Sequence, residues 1–165
     1  MFHLIKAQLQ VASEDQQTDP VVATTLDSKN AFNNLTRAHL VNVLDAGCDR
    51  YATLPEDEEH DKPVGWDIMY GHLRAHYGVS GNLKYYSRSE VLTIQSESGV
   101  QQGDPLGSQL FALAIHPLLL DIGARHPEVF ISAYADNRII TGPLSKIQAA
   151  VHYCNTTLHR AGLTA

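Results

Sequence analysis

Two aspartates of this chain stand at predicted junctions between strand and turn, where a carboxylate is available for chemistry. Asp27 directly follows a short apolar, β-branched run at 21–26, and Asp136 lies at the tip of a predicted hairpin. Each has an ordinary explanation, because aspartate is common at helix starts and in turns. If the two strands are neighbours in one sheet, however, their ends bring both carboxylates to one edge. Such an edge could bind a pair of hard divalent cations through oxygen ligands.

The periodicity of apolar residues predicts the strands and helices that must position these aspartates. After the strand over 21–26 we predict a helix over 30–46, ended by Gly47, since apolar residues recur there at helical spacing. Ser145 is predicted to cap the last helix, Gly162 to stop it, and Pro117 to kink the helix before it. The other predicted elements are a helix over 66–77, a hairpin of strands 83–86 and 91–94, a helix from Pro105 through 115, a hairpin of strands 129–134 and 138–141 around Ala135, Asp136 and Asn137, and a helix over 145–161.

This order of elements predicts an α+β fold. An antiparallel sheet would have helices packed on one face, in a split βαβ arrangement. The chain has 165 residues, of which 44% are hydrophobic, and this is enough for one domain with its own core. No internal repeat and no low-complexity tract is present, so we expect a single domain.

The net charge of −6 comes from one segment of the chain. Between Asp45 and Asp67 there are eight acidic and two basic residues, and the remainder is balanced. We interpret 55–63, with the sequence PEDEEHDKP, as an acidic surface loop between prolines. The balance elsewhere excludes a broad basic face that would bind nucleic acid by itself.

The sequence carries no recognisable export or membrane signal. No window approaches the roughly 18 uninterrupted apolar residues of a membrane span, and the first ten residues are too short and too polar for a signal peptide. We therefore expect an intracellular protein with no membrane partner. Cys48 and Cys154 lie far apart in the sequence, with no CxxC motif and no Cys/His pairing of metal-site spacing, which predicts reduced, buried thiols rather than a disulfide framework or a zinc finger.

Three strings of residues resemble motifs A, B and C of reverse transcriptases and occur in the same order. The first is LDSKNAFN at 26–33, the second is GVQQGDPLGS at 99–108 with FAL at 111–113, and the third is AYADN at 133–137. The closest likeness is to the non-LTR retrotransposon type, in which QGDPLG precedes an apolar helix. Three such strings in order are far more specific than any one of them. The resemblance implies a polymerase palm.

The resemblance also implies a reaction, the RNA-directed synthesis of DNA by two-metal nucleotidyl transfer. Asp27 and Asp136 would hold two Mg²⁺ ions, which Mn²⁺ can replace, together with the backbone carbonyl of Ser28. Asn137 occupies the place of a second catalytic aspartate, and Tyr134 would pack beside the primer end. The expected partners are an RNA or DNA template with its primer, and a dNTP.

The remaining motif residues would contact the incoming nucleotide. The backbone N–H groups of Asn30 and Ala31, at the opening of a helix, suit triphosphate oxygens. Phe32 falls where the family has an aromatic ring beneath the sugar, and such a ring clashes with a 2′-hydroxyl. Plain core packing is the other reading of Phe32. Gln102 and Gly103 would border the nucleotide, because glycine lets the backbone approach closely.

The chain departs from the family pattern in two places. The Asn137 amide offers a carbonyl oxygen but no charge, and one lost carboxylate at ~4 Å forgoes ~4 kcal/mol of attraction per unit cation charge at an effective dielectric near 20. The sequence also ends at residue 165, where the fourth motif of the family begins. We therefore expect a single, partial reverse transcriptase domain over 1–165, a palm with part of the fingers. The rest of the fingers and the thumb would belong to a longer protein.

Three alternatives stay open. A decayed or domesticated palm would fold and bind a partner but catalyse nothing, and Asn137 favours it. A viral RNA-dependent RNA polymerase is the second, since some carry Asp-Asn at the hairpin tip, although Phe32 and QGDPLG favour reverse transcriptase. The third is a zinc site, because His72 and His76 have a zinc-compatible i, i+4 spacing, but no third ligand is evident.

Overall fold

Helices and short antiparallel sheets alternate along the chain, so the fold is α+β as the sequence predicts. The structure is a computed structural model that describes residues 19–52, 66–101 and 103–164. The predicted acidic loop at 55–63 lies outside these ranges. The described elements are β1 (Val21–Asp27), α1 (Ala31–Asn34), α2 (Arg37–Ala52), α3 (Trp66–Tyr77), β2 (Gly81–Tyr86), β3 (Val91–Ser96), α4 (Gly107–Arg125), β4 (Phe130–Tyr134), β5 (Asn137–Pro143) and α5 (Leu144–His159).

The described chain divides into two compact units. Unit 1 comprises the described residues within 1–31 and 115–165, and it contains β1, β4, β5 and α5. Unit 2 comprises those within 32–114, and it contains α2, α3, β2 and β3. The boundaries between the units fall inside α1 and α4.

Unit 1 is built on a three-stranded antiparallel sheet in which β5 lies between β1 and β4. The pairing of β1 with β5 ends where Asp27 lies opposite Asn137. The predicted strand and hairpin are confirmed. Strand β5 begins one residue before its predicted start, because the turn contains only Ala135 and Asp136.

Helix α5 packs on β5 and β1 of this sheet. Its buried apolar residues recur at spacings of three and four, so they form one apolar face of the helix. These residues are Ile147, Ala150, Cys154 and Leu158. Burial of each large aliphatic side chain stabilises the fold by about 2 kcal/mol. The apolar layer therefore fixes the strands of unit 1 beneath the helix.

The start of α5 differs from the prediction, because Ser145 is not its cap. Pro143 precedes the helix, and Ser145 lies in the first turn. Its backbone N–H and its hydroxyl both donate to the carboxylate of Asp19, at 3.0 and 2.5 Å. These two hydrogen bonds lower the pKa of Asp19. The predicted stop is confirmed, since Gly162 follows the helix with a left-handed φ of 84°.

The predicted helix over 30–46 is divided into α1 and α2, and it does not end at Gly47. Leu35 and Thr36 separate the two helices, and the Leu35 carbonyl accepts the backbone N–H of Gly99 at 2.7 Å instead of continuing a helix. Threonine is a preferred residue before a first helical turn. Helix α2 then continues through Gly47 to Ala52. A glycine inside a helix costs only about 1 kcal/mol, which the burial of the α2 leucines offsets.

Helix α4 has 19 residues and continues on both sides of Pro117. Pro105 lies two residues before the first helical residue, Gly107, close to the predicted start. Among the described residues, α4 is the helix long and apolar enough to cross a membrane by length and composition, a test that the core helix of a soluble protein also passes. The predicted kink at Pro117 stays a prediction. The expected absence of a membrane partner also stays a prediction, because this test does not decide it.

In unit 2 the structure confirms the predicted helix α3 and the predicted hairpin of β2 and β3. The hairpin is amphipathic, because four large apolar side chains lie on the same face of it. They are the paired residues Leu83 and Ile94, and Tyr85 and Leu92, all exposed. The hairpin is thus held by its own backbone pairing more than by burial.

Candidate functional site

One row of side chains crosses the three strands of unit 1 at the end of the sheet. Asp27 of β1 lies opposite Asn137 of β5, and Asn137 lies opposite Tyr134 of β4. Residues directly opposite in an antiparallel pair project from the same face of the sheet. All three side chains are exposed, and Tyr134 keeps 76% of its surface accessible. The structure therefore brings together three residues that the sequence predicts for the catalytic and primer-end positions.

Asp136 lies beside this row, in the two-residue turn that joins β4 to β5. Ala135, the other turn residue, has a φ of 52°, which is unusual for a residue with a β-carbon. Positive φ at the first loop position belongs to the turns that match the twist of a two-residue hairpin. The Asp136 side chain is half-buried. We name Asp27, Asp136 and Asn137 together the acidic edge.

The segment that leaves β1 turns sharply into a short helix. Ser28 is 3% exposed, Asn30 has a φ of 51°, and Ala31 begins α1. Asparagine tolerates positive φ, so the chain can turn sharply out of the strand. Helix α1 has only four residues, and its dipole is correspondingly small. Ala31 does open a helix, and the contact of the Asn30 and Ala31 N–H groups with triphosphate oxygens stays a prediction.

Sequence reasoning missed Arg138, the residue directly after the acidic edge. Its side chain is 1% exposed and lies on the face of the sheet opposite to Asn137, because neighbouring residues alternate along a strand. One guanidinium nitrogen, Nη2, donates to the Ser28 hydroxyl at 2.6 Å. Burial lowers the pKa of Arg138, while electrostatic interactions with Cys154, Asp27 and Asp136 act in the opposite direction. A charged residue inside an apolar strand pattern was the signal that could have found it.

The donor set of the acidic edge is consistent with a magnesium-like cation. It offers two carboxylates and the Asn137 amide oxygen, all hard oxygen ligands of the kind that Mg²⁺ and Mn²⁺ prefer. Ser28 is 3% exposed, and a contact of its backbone carbonyl with a cation stays a prediction. Mg²⁺ is commonly bound by only one or two carboxylates, with water and substrate phosphate completing its shell. Over the described ranges, no three His, Cys, Asp or Glu side chains form a metal-binding group. The acidic edge thus contributes two carboxylates, those of Asp27 and Asp136, to the binding of a cation.

Unit 2 contains an open cavity of about 250 Å³. Phe32 and Gly103, two residues predicted at the nucleotide, line it, and Gln102 lies outside the described residues. The other lining residues are Gln101, Asp104, Gly107 and Ser108. The Phe32 ring stacks on the buried ring of Phe111, with centroids 4.5 Å apart and planes at 21°. Phe32 therefore packs on the core, and it also forms a wall of the cavity; its place beneath a nucleotide sugar stays a prediction.

The beginning of the cavity loop is fixed by Gly99. Its backbone N–H donates to the Leu35 carbonyl, and the N–H of Val100 donates to the Phe32 carbonyl at 2.8 Å. Gly99 has a φ of 73°, and a β-carbon there would lie 2.5 Å from the Phe32 carbonyl oxygen. Only glycine satisfies both conditions. Gly103 also has a positive φ, 93°, but open space surrounds it.

The far side of the loop is held by Asp104, whose role sequence reasoning also missed. Its carboxylate is 7% exposed and accepts the Tyr77 hydroxyl, the backbone N–H of Leu106 at 2.9 Å, and His72 Nε2 at 3.1 Å. Burial alone would raise the pKa of Asp104, but these hydrogen bonds outweigh it and lower that pKa. The Tyr77 hydroxyl accepts in turn from the N–H of Gln101 at 3.0 Å.

This network also accounts for His72, the first residue of the proposed zinc pair. His72 contacts Asp104, and its ring lies against that of His76 with centroids 4.3 Å apart.

Burial raises the pKa of the Tyr77 hydroxyl, and the hydrogen bond from Tyr77 to Asp104 adds to this effect. The guanidinium of Arg37 lies 5.2 Å from the Tyr77 ring centroid. Helix α3 therefore positions the loop that lines the cavity.

No protein-family model matches this chain, and no curated protein matches it. The resemblance to reverse transcriptases thus depends on the three strings at 26–33, 99–108 and 133–137. The residues of the first and third strings form the acidic edge within unit 1. Those of the second string line the cavity within unit 2, together with Phe32 from the first.

Proposed function

We propose that this chain is the palm of an RNA-directed DNA polymerase of the non-LTR retroelement type. Its reaction would transfer a deoxynucleotide from a dNTP to the 3′-hydroxyl of a primer paired with an RNA or DNA template. The observation that carries the proposal is the placement of Asp27 opposite Asn137, next to the turn that holds Asp136. Two strings distant in sequence thus meet at one sheet edge, and each contributes a carboxylate.

In this proposal the acidic edge holds Mg²⁺ through Asp27, Asp136 and the backbone carbonyl of Ser28. When bound, Mg²⁺ lowers the pKa of the primer hydroxyl and neutralises charge on the triphosphate. The Asn137 amide oxygen adds a ligand without charge. Tyr134 presents a largely exposed ring beside Asn137, suited to packing against the terminal sugar or base of the primer.

Taken by itself, the cavity of unit 2 would accommodate the sugar and base of a nucleotide. Phe32 is held by its stack on Phe111, so its ring cannot move away from a ligand without losing that contact. A fixed ring beneath the sugar excludes a 2′-hydroxyl and favours deoxynucleotides. Gly103 leaves open space for backbone approach, and Gln102 would contribute beside it.

A second candidate is a palm that binds nucleic acid or protein but does not catalyse. Asn137 favours it, because the place opposite Asp27 holds an amide where the resembling family has a carboxylate. Arg138 favours it too, since a buried positive charge two residues after Asp136 would oppose the binding of a cation at the acidic edge. The two candidates differ in whether the acidic edge retains enough affinity for a divalent cation.

Calorimetry on the full chain separates the candidates. Binding of Mn²⁺, and of a dNTP in its presence, is measured for the wild type, Asp27→Ala and Asn137→Asp, with Asp121→Ala as a control for an exposed acid outside the edge. Under the proposed function the wild type binds both ligands, and Asp27→Ala loses both. Recovery only in Asn137→Asp supports the non-catalytic palm. Mn²⁺-dependent dNTP binding that persists in Asp27→Ala contradicts the proposed function.

Primer extension gives the second readout. An RNA template with a DNA primer, Mn²⁺ and one labelled dNTP are supplied to the wild type and to Asn137→Asp. Under the proposal, incorporation is higher in Asn137→Asp, because a second carboxylate strengthens cation binding. Incorporation that is the same in Asp27→Ala as in the wild type would assign the activity to a contaminant and reject the proposal.

A further inference from the structure

Arg138 is a buried cation with too few partners. Only Nη2 has a hydrogen bond, to the Ser28 hydroxyl, and neither Nε nor Nη1 has a partner among the described residues. No carboxylate of the described residues lies within ion-pair distance of it. A buried charge without a direct counter-ion is costly, and an apolar residue of similar volume would often be neutral or stabilising. Packing alone therefore does not explain an arginine at this position.

Two carboxylates of the acidic edge, those of Asp27 and Asp136, interact electrostatically with Arg138, as does Cys154 of α5. Strand pairing places Arg138 opposite Leu26, the neighbour of Asp27, and Arg138 is two residues after Asp136. The chain passes from Asp27 directly into Ser28, to which the guanidinium is hydrogen bonded. Arg138 thus lies on the face of the sheet opposite to Asp27 and two residues after Asp136. Asp27 and Asp136 with Arg138 carry a net charge of −1.

We propose that Arg138 is a positioning residue that sets the divalent-cation affinity of the acidic edge. Its buried charge partly neutralises Asp27 and Asp136 and weakens the binding of Mg²⁺ or Mn²⁺ there, while its bond to Ser28 holds the segment that carries Asp27. Because Arg138 is buried, solvent and salt screen this charge less than a surface charge. The inference rests on the acidic edge of the proposed function and adds the residue that controls its affinity.

The test compares Mn²⁺ binding, without nucleotide, between variants that separate charge from shape. Arg138→Met removes the charge and keeps much of the volume, and Arg138→Gln removes the charge and keeps a donor for Ser28. Arg138→Lys keeps the charge. Arg160→Met is the matched control, since it removes a positive charge from an exposed residue directly after α5. Thermal unfolding of each variant shows whether it is folded.

Both neutral variants are expected to bind Mn²⁺ about tenfold more tightly than the wild type. Arg138→Lys and Arg160→Met should remain within about twofold of the wild type. If Arg138→Met does not fold, Arg138→Gln gives the same comparison. Equal affinity in the wild type and the folded neutral variants overturns the inference. So does a tightening that Arg138→Lys shares, because shape would then be responsible.

A failure of the proposed function and a failure of this inference give different experimental results. Mn²⁺ binding that Asp27→Ala abolishes, without any dNTP binding or incorporation, rejects nucleotidyl transfer but still lets Arg138 be assessed by Mn²⁺ alone. No detectable binding in the wild type, with binding in Arg138→Met, supports the inference. No binding in either protein overturns it, since the charge of Arg138 would then not be what limits affinity.

Discussion

Asp27 and Asn137 lie opposite each other on neighbouring antiparallel strands, although they are 110 positions apart in the sequence. Asp27 is the last residue of β1 and Asn137 the first residue of β5, so the pair marks the end of the sheet in unit 1. The turn residue Asp136 precedes Asn137 directly. A carboxylate and an amide thus occupy the place where the proposed polymerase function calls for two carboxylates.

Asn137→Asp should make the protein less stable without metal and more stable with it. Like charges directly opposite across an antiparallel pair repel, so the free energy of unfolding should fall by about 0.5 kcal/mol in a metal-free buffer. Mn²⁺ should reverse this sign, because a ligand that binds only the folded state stabilises it. Denaturant unfolding with EDTA and with Mn²⁺ measures both values. A metal-independent loss of stability would contradict the prediction.

Gly99→Ala should be much more destabilising than Gly103→Ala. At Gly99 the positive φ adds to a contact of 2.5 Å with the Phe32 carbonyl oxygen, and at Gly103 the positive φ acts alone. We expect a loss of about 3 kcal/mol for Gly99→Ala and about 1 kcal/mol for Gly103→Ala. Urea unfolding of the two variants measures the difference. Equal losses would show that backbone conformation alone decides both positions.

Asp104→Asn should lower stability at neutral pH, by an amount that shrinks in acid. The pKa of Asp104 is lowered from 3.8, so its contribution is fully present above that value and is lost as the pH falls through the folded pKa. We expect a loss of about 2 kcal/mol at pH 7, since the carboxylate accepts three hydrogen bonds.

Unfolding curves of the wild type and Asp104→Asn between pH 7 and pH 2.5 test this dependence. Tyr77→Phe removes one of the donors to Asp104 and should give a smaller pH-dependent difference from the wild type. A difference between the wild type and Asp104→Asn that stays constant down to pH 2.5 would show that Asp104 contributes packing rather than charge.

Phe32→Ala should relax the discrimination between deoxynucleotides and ribonucleotides. The ring lines the cavity of unit 2, and its removal takes away the group proposed to exclude a 2′-hydroxyl. We expect the affinity for a ribonucleotide to come within about threefold of that for the matching deoxynucleotide. Phe130→Ala is the control, because Phe130 lies in β4 and does not line the cavity. An unchanged preference in Phe32→Ala would remove this role.

Much of the secondary structure could be predicted from the sequence, because it depends on local patterns. The apolar run before Asp27, the hairpin that carries Asp136 and the helix ended by Gly162 follow from residue periodicity and turn chemistry. The predictions failed where a distant group intervened. Asp19 takes the capping role expected of Ser145, and Gly99 bonds to the chain between α1 and α2.

The sequence by itself determined the α+β class and the positions of the two aspartates at strand ends. Only the tertiary structure decided that Asp27 faces Asn137, that Asp104 is held by Tyr77, and that Arg138 is buried against Ser28. The physical reason is sequence distance. Strand register, buried charge and side-chain hydrogen bonds between residues 27 to 110 positions apart arise from the packing of separate segments, which no local propensity encodes.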